Sequence, residues 1–89
     1  MSKRKLLLAD DSITIQKVVN LTFAEEGIEV IAFGDGDSAV ESMDEVQPDI
    51  VLADVNMPGM NGYQICELMR ANEGTKHVPV ILLVGSFEP

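Results

Sequence analysis

The chain is expected to fold as an α/β protein: a doubly wound, mostly parallel sheet with helices on both faces. Three observations predict it. Short apolar runs alternate with stretches of helical period, strand then helix three times over, and a last strand follows. The runs Leu6-Leu7-Leu8-Ala9 and Ile50-Val51-Leu52-Ala53 are apolar at every position, as in strands covered on both faces. Both runs end in carboxylates, Asp10-Asp11 ahead of a helix start and Asp54 ahead of a loop whose Pro58 and glycines cannot continue a strand. Right-handed crossovers between parallel strands follow from that alternation.

The first strand spans roughly Lys5 to Ala9. Ser12 is a plausible N-cap for a helix from Ile13 to about Glu26, with Ile15, Val18, Val19, Thr22 and Phe23 on one face and Gly27 as its C-cap. Ile28 to Phe33 forms the second strand, and Glu29 gives it the character of a sheet edge. Gly34-Asp35-Gly36-Asp37 reads as a turn before a short helix, about Ser38 to Val46, that turns Ala39, Val40, Met43 and Val46 inward. Gln47-Pro48-Asp49 breaks that helix, and Ile50 to Ala53 is the third strand. Asn61 caps a helix from Gly62 to about Ala71 that buries Ile65, Leu68 and Met69. After a polar loop, Val78 to Val84 forms the fourth strand, with Pro79 at its entry, where a missing N–H costs least.

At 89 residues the chain supports one small domain with no internal repeat or linker. Fifteen acidic against six basic residues give a net charge of −9. Such a balance opposes non-specific nucleic-acid binding, which needs a basic patch, and suits the binding of cations. One cysteine, Cys66, excludes an internal disulfide. The basic start and the apolar run after it resemble a signal peptide, but the run meets Asp10 too soon for an h-region, and no segment reaches membrane-spanning length. A cytoplasmic protein without membrane or direct nucleic-acid contacts is expected. His77, without a partner His or Cys, reads as a surface residue, Lys3-Arg4-Lys5 as a solvated edge, and Asp35, Asp37 and Asp49 as turn residues.

The carboxylates point to chemistry. In an open parallel sheet, ligands bind beyond the carboxyl ends of strands where the winding reverses. If the first and third strands are neighbours there, Asp10, Asp11 and Asp54 converge. Carboxylates at ~4 Å repel by about 1 kcal/mol in water and roughly 4 kcal/mol at an intermediate dielectric, a cost that a bound cation removes.

The Asp10-Asp11 pair, Asp54, and the stretch Asp54-Val55-Asn56-Met57-Pro58-Gly59-Met60-Asn61-Gly62 together resemble the receiver domain of two-component response regulators, over the whole chain. The resemblance implies a flavodoxin-like (CheY-like) sheet of order 2-1-3-4-5, with the first and third strands adjacent. It implies that Asp54 is the phosphoacceptor and that Asp11, Asp54 and the Asn56 backbone carbonyl ligate Mg²⁺ or another divalent cation. Asp10 would act through water or close by. A histidine kinase or histidine phosphotransfer protein would supply the phosphoryl group, and the chemistry would be self-modification rather than enzymatic turnover.

Two departures from the family pattern stand out. The position of the small hydroxyl residue that usually ends the fourth strand falls on Val84, with Ser86 as the substitute if the strand end is shifted or bulged. The fifth-strand lysine has no counterpart, because the fourth helix, fifth strand and fifth helix are lacking. Only four of the usual five strands are expected. Uncovered apolar surface near Leu7 or Val51, and an open fourth strand, suggest either an excerpt of a longer chain or a homodimer. A pseudo-receiver that binds partners without switching is the second reading. A phosphatase with an Asp nucleophile ranks below both, because Asn56 occupies the place of its second acid.

Overall fold

The computed structural model describes residues 3–84. Its elements are β1 (Arg4–Ala9), α1 (Ile13–Ala24), β2 (Ile28–Phe33), α2 (Gly36–Val46), β3 (Ile50–Asp54), α3 (Gly62–Ala71) and β4 (Val80–Leu83). The strands pair in parallel in the order β2-β1-β3-β4, so the two fully apolar runs lie side by side in the centre. Leu7, Leu8, Ala9, Val51 and Ala53 are fully buried. Glu29 lies in the edge strand β2, as its charge requires.

Strand alternation divides the core in two. Leu7, Ala9, Val51 and Ala53 pack under α2 and α3 with Ala39, Met43, Ile65 and Met69. Leu6, Leu8 and Leu52 face Val19 of α1 on the other side. The uncovered surface is therefore not at Leu7 or Val51, which are both sealed by the two-helix layer. It lies on the α1 side. One helix cannot span four strands, so Ile15 (38% exposed) and Val18 (53%) of α1 and Ile81 (48%) of β4 stay open to solvent. Of the five α1 residues expected on one face, only Val19 is buried and Phe23 is half-buried.

Further details differ from the sequence expectation, the first being that α1 ends at Ala24 with Glu25, not Gly27, as its C-cap. The helix α2 begins two residues early, because Asp35 is its N-cap and accepts the Ser38 N–H at 2.7 Å. Leu68 is 45% exposed, lying off the face that buries Ile65 and Met69. The strand β4 is limited to Val80–Leu83; Val78 is buried ahead of it, and Pro79 joins the ladder only through its carbonyl, which accepts the Val51 N–H at 3.0 Å. Asp49 ties the start of β3 to β1: its carboxylate accepts the Lys5 N–H at 2.8 Å, and its own N–H donates to the Lys5 carbonyl at 2.9 Å.

Candidate functional site: an acidic pocket at the strand ends

Ala9 of β1 is in register with Ala53 of β3, so the next residue of each chain segment, Asp10 and Asp54, emerges at the same edge of the sheet. Asp10 is held from three directions. Its N–H donates to the Phe33 carbonyl of β2 at 3.0 Å, which extends the ladder by one residue. Its Oδ1 accepts the Ser12 N–H at 2.8 Å, closing a tight turn. Its carbonyl accepts the Gln16 side-chain amide at 2.7 Å. Ser12 then caps α1, its Oγ accepting the Ile15 N–H at 3.2 Å. Asp54 closes β3 opposite Leu83 of β4, and its Oδ1 accepts the Asn56 N–H at 2.9 Å.

Asp10, Asp11 and Asp54 each offer a carboxylate oxygen, and these oxygens all lie within 4.8 Å of one another. Asp10 is buried, Asp54 half-buried and Asp11 exposed, so the cluster grades from the protein interior to solvent. Burial holds the Asp10 carboxyl above the usual carboxylate range; the charges of Asp54 and Asp11 add to that, against the opposing Ser12 N–H. Oxygen-only donors with concentrated negative charge suit a hard divalent cation, Mg²⁺ above all, which takes one or two carboxylates and keeps several waters. The residues present fit such an ion.

The loop after Asp54 is anchored rather than loose. Met57 is buried in the core of the α2/α3 side. Gly59 has φ +74, a left-handed conformation that favours glycine. Gly62 brings the start of α3 against the end of β3, where a Cβ would lie 2.8 Å from the Ala53 carbonyl oxygen and 3.0 Å from that of Asp54. Asn61 and Gln64 complete a reciprocal capping box. The strand β3, the loop and α3 therefore pack as one unit.

The structure brings Asp10, Asp11 and Asp54 together, with exposed Asn56 beside them. Val84 follows β4 and is 67% exposed; it shares a groove of about 480 Å³ with Asp10, Asp54, Asn56 and Val18. Ser86 lies outside the described residues. His77 is exposed in the loop before β4, as read from the sequence. Gln16 joins the site without a chemical signal in the sequence. Its position alone marks it: it lies one turn into the helix that follows the acidic pair, within reach of the pair's backbone.

The chain is similar to known proteins in both sequence and fold. The family model of the response regulator receiver domain matches residues 6–88. DNA-binding response regulator MtrA of Mycobacterium tuberculosis is 33% identical over 86 residues, 97% of this chain but 36% of its own. Protein PilG of Pseudomonas aeruginosa is 35% identical over 79 residues, 89% of this chain and 58% of its own. The chain thus spans little more than a third of the length of MtrA. Among solved structures, the Vibrio cholerae chemotaxis protein CheY4 superposes with a TM-score of 0.89 at 32% identity, covering 99% of this chain and 73% of that one. Matched by sequence over nearly its whole length and by fold to a receiver-type neighbour, with the acidic pocket at the strand ends, this chain belongs to the response regulator receiver domain family.

Proposed function

We propose that the chain is a phosphoacceptor module of a two-component phosphorelay, with Asp54 as the residue that takes the phosphoryl group. The convergence of Asp10, Asp11 and Asp54 within 4.8 Å carries this reading. A carboxylate oxygen of Asp54 attacks phosphorus and forms an acyl phosphate while the bond to the donor breaks, the donor being a phosphohistidine of a histidine kinase or phosphotransfer protein. The Asn56 N–H on Oδ1 holds the carboxylate in place. Asp11, Asp54 and the Asn56 backbone carbonyl are the proposed ligands of Mg²⁺, with Asp10 acting through water or at short range. When bound, the ion screens the approach of one anion to another. The chain's own residues do the remaining work: β1 and β3 fix the carboxylates, and the Met57 anchor fixes the loop. Relatives such as MtrA are DNA-binding regulators by name; an output of that kind would reside in chain beyond the part matched here.

Incubation with acetyl phosphate and Mg²⁺, followed by mass spectrometry, tests this. One added phosphoryl group located on Asp54, and none in Asp54→Asn, is expected. Equal labelling of that variant would refute the assignment. A second reading draws on Val84, which has no hydroxyl to meet a phosphoryl group at the end of β4. It holds that phosphorylation proceeds without the usual conformational response. Amide spectra that are unchanged far from Asp54 on labelling would favour it.

A further inference from the structure

We infer that Gln16 is a positioning residue for the acidic pocket, clamping the backbone on both sides of Asp11 and thereby setting the affinity for the divalent cation. The inference rests on the proposed cation site. Two hydrogen bonds carry it. The Gln16 backbone N–H donates to the Ser12 carbonyl at 3.0 Å, and its side-chain Nε2 donates to the Asp10 carbonyl at 2.7 Å. These two carbonyls belong to the residues flanking Asp11. A third bond, from the Ser12 N–H to Asp10 Oδ1 at 2.8 Å, closes the same turn from inside. Asp11 itself is exposed, so packing does not fix its direction. Its backbone orientation comes from the turn.

The backbone bond belongs to the first turn of α1 and would form with any residue but proline. The side-chain bond is specific to this residue. It is partly buried and crosses from α1 to the end of β1, six residues back in the chain. A carbonyl left without that donor can rotate the Asp10–Asp11 peptide, which swings Asp11 away from Asp54. Partners that hold a ligand in its binding orientation commonly control affinity by about 10- to 100-fold. The competing explanation is that Gln16 only stabilises the start of α1. Affinity and apo stability separate the two.

The test measures the Mg²⁺ dissociation constant by calorimetry and the melting temperature in EDTA for the wild type, Gln16→Met and Gln16→Asn. Methionine keeps the length and removes the donor. Asparagine keeps the amide but is too short to reach the Asp10 carbonyl. Lys17→Met, on the same helix, is the control for a change that does not touch the turn. Affinity about tenfold weaker in both Gln16 variants, with Lys17→Met unchanged and the Asp11 amide resonance shifted in the apo proteins, is expected. Melting temperatures that fall while the dissociation constant stays at the wild-type value would overturn the inference and leave Gln16 a structural residue. Should Gln16→Met fail to fold, Gln16→Asn decides alone by the same criterion. Absence of Mg²⁺ binding by the wild type would instead overturn the cation site on which the inference rests.

Discussion

Replacing Asp10 by Asn should make the cation-free protein more stable and deprive it of stabilisation by Mg²⁺. Asp10 is 3% exposed, and a carboxylate oxygen of it lies within 4.8 Å of those of two others. At that separation each like-charge pair costs about 1 kcal/mol with water-like screening and roughly 3 kcal/mol at an effective dielectric near 20. Asp11 is exposed, so its share is strongly screened, whereas half-buried Asp54 contributes more. Asparagine removes the charge while its side-chain oxygen can still accept the Ser12 N–H. Burying the new amide NH₂ offsets part of the gain. A net stabilisation of about 1–3 kcal/mol remains, which at ~4–8 °C per kcal/mol for a domain of this size raises the melting temperature by roughly 4–24 °C. The pH dependence carries the same sign. Because the folded-state pKa of Asp10 is raised above 3.8, the folded wild type binds more protons than the unfolded chain between those two values. Without a cation, wild-type stability therefore falls as pH rises through that window and is level above it, and the Asp10→Asn protein lacks this component. Saturating Mg²⁺ should reverse the ranking, since ligand at a thousandfold excess over its dissociation constant adds about 4.1 kcal/mol to the protein that binds it. Thermal melts followed by circular dichroism, in EDTA and in Mg²⁺ across pH 3.5 to 8, would report both effects. An Asp10→Asn protein that melts at or below the wild-type temperature in EDTA at neutral pH would refute the electrostatic account of the pocket.

The remaining predictions concern the exposed ligand and the open face. Asp11→Asn should weaken Mg²⁺ binding by at least about tenfold, since even residues that only hold a ligand commonly have that effect; an unchanged calorimetric isotherm would remove Asp11 from the site. On its own, the 89-residue chain should self-associate through the apolar surface around Ile15, Val18, Ile81 and Val84, which are 38–67% exposed. Light scattering should show mass rising with concentration, and Ile81→Lys should suppress the rise. A monodisperse, cooperatively melting monomer at micromolar concentration would show that this face needs no cover.

Much of the fold was legible because its strongest signals are local. Unbroken apolar runs mark β1 and β3 as central strands, Glu29 marks β2 as an edge, and Ser12 and Asn61 announce the helices that they cap. The acidic pocket was legible for the same reason: carboxylates at the ends of two buried strands must meet once those strands are neighbours. Four features depended on distances across the fold. Asp35 reads as a turn residue until the Ser38 N–H is seen to point at it, which moves the start of α2. The burial of Leu7 and Val51, and the exposure of Ile15 and Val18, depend on which face each helix covers; period alone shows that a residue shares a face, not that anything lies against it. Whether Leu68 meets a neighbour depends likewise on where α3 is set down. Gln16 is an ordinary polar helix residue in the sequence. Only the fold places its amide 2.7 Å from the Asp10 carbonyl, because that contact requires the strand, the turn and the helix to be in their final positions at once. The sequence by itself thus determined which elements form and which carboxylates gather, through patterns carried by neighbouring residues. Tertiary structure alone decided which faces are covered and which backbone carbonyls are held, since both are properties of elements packed against one another.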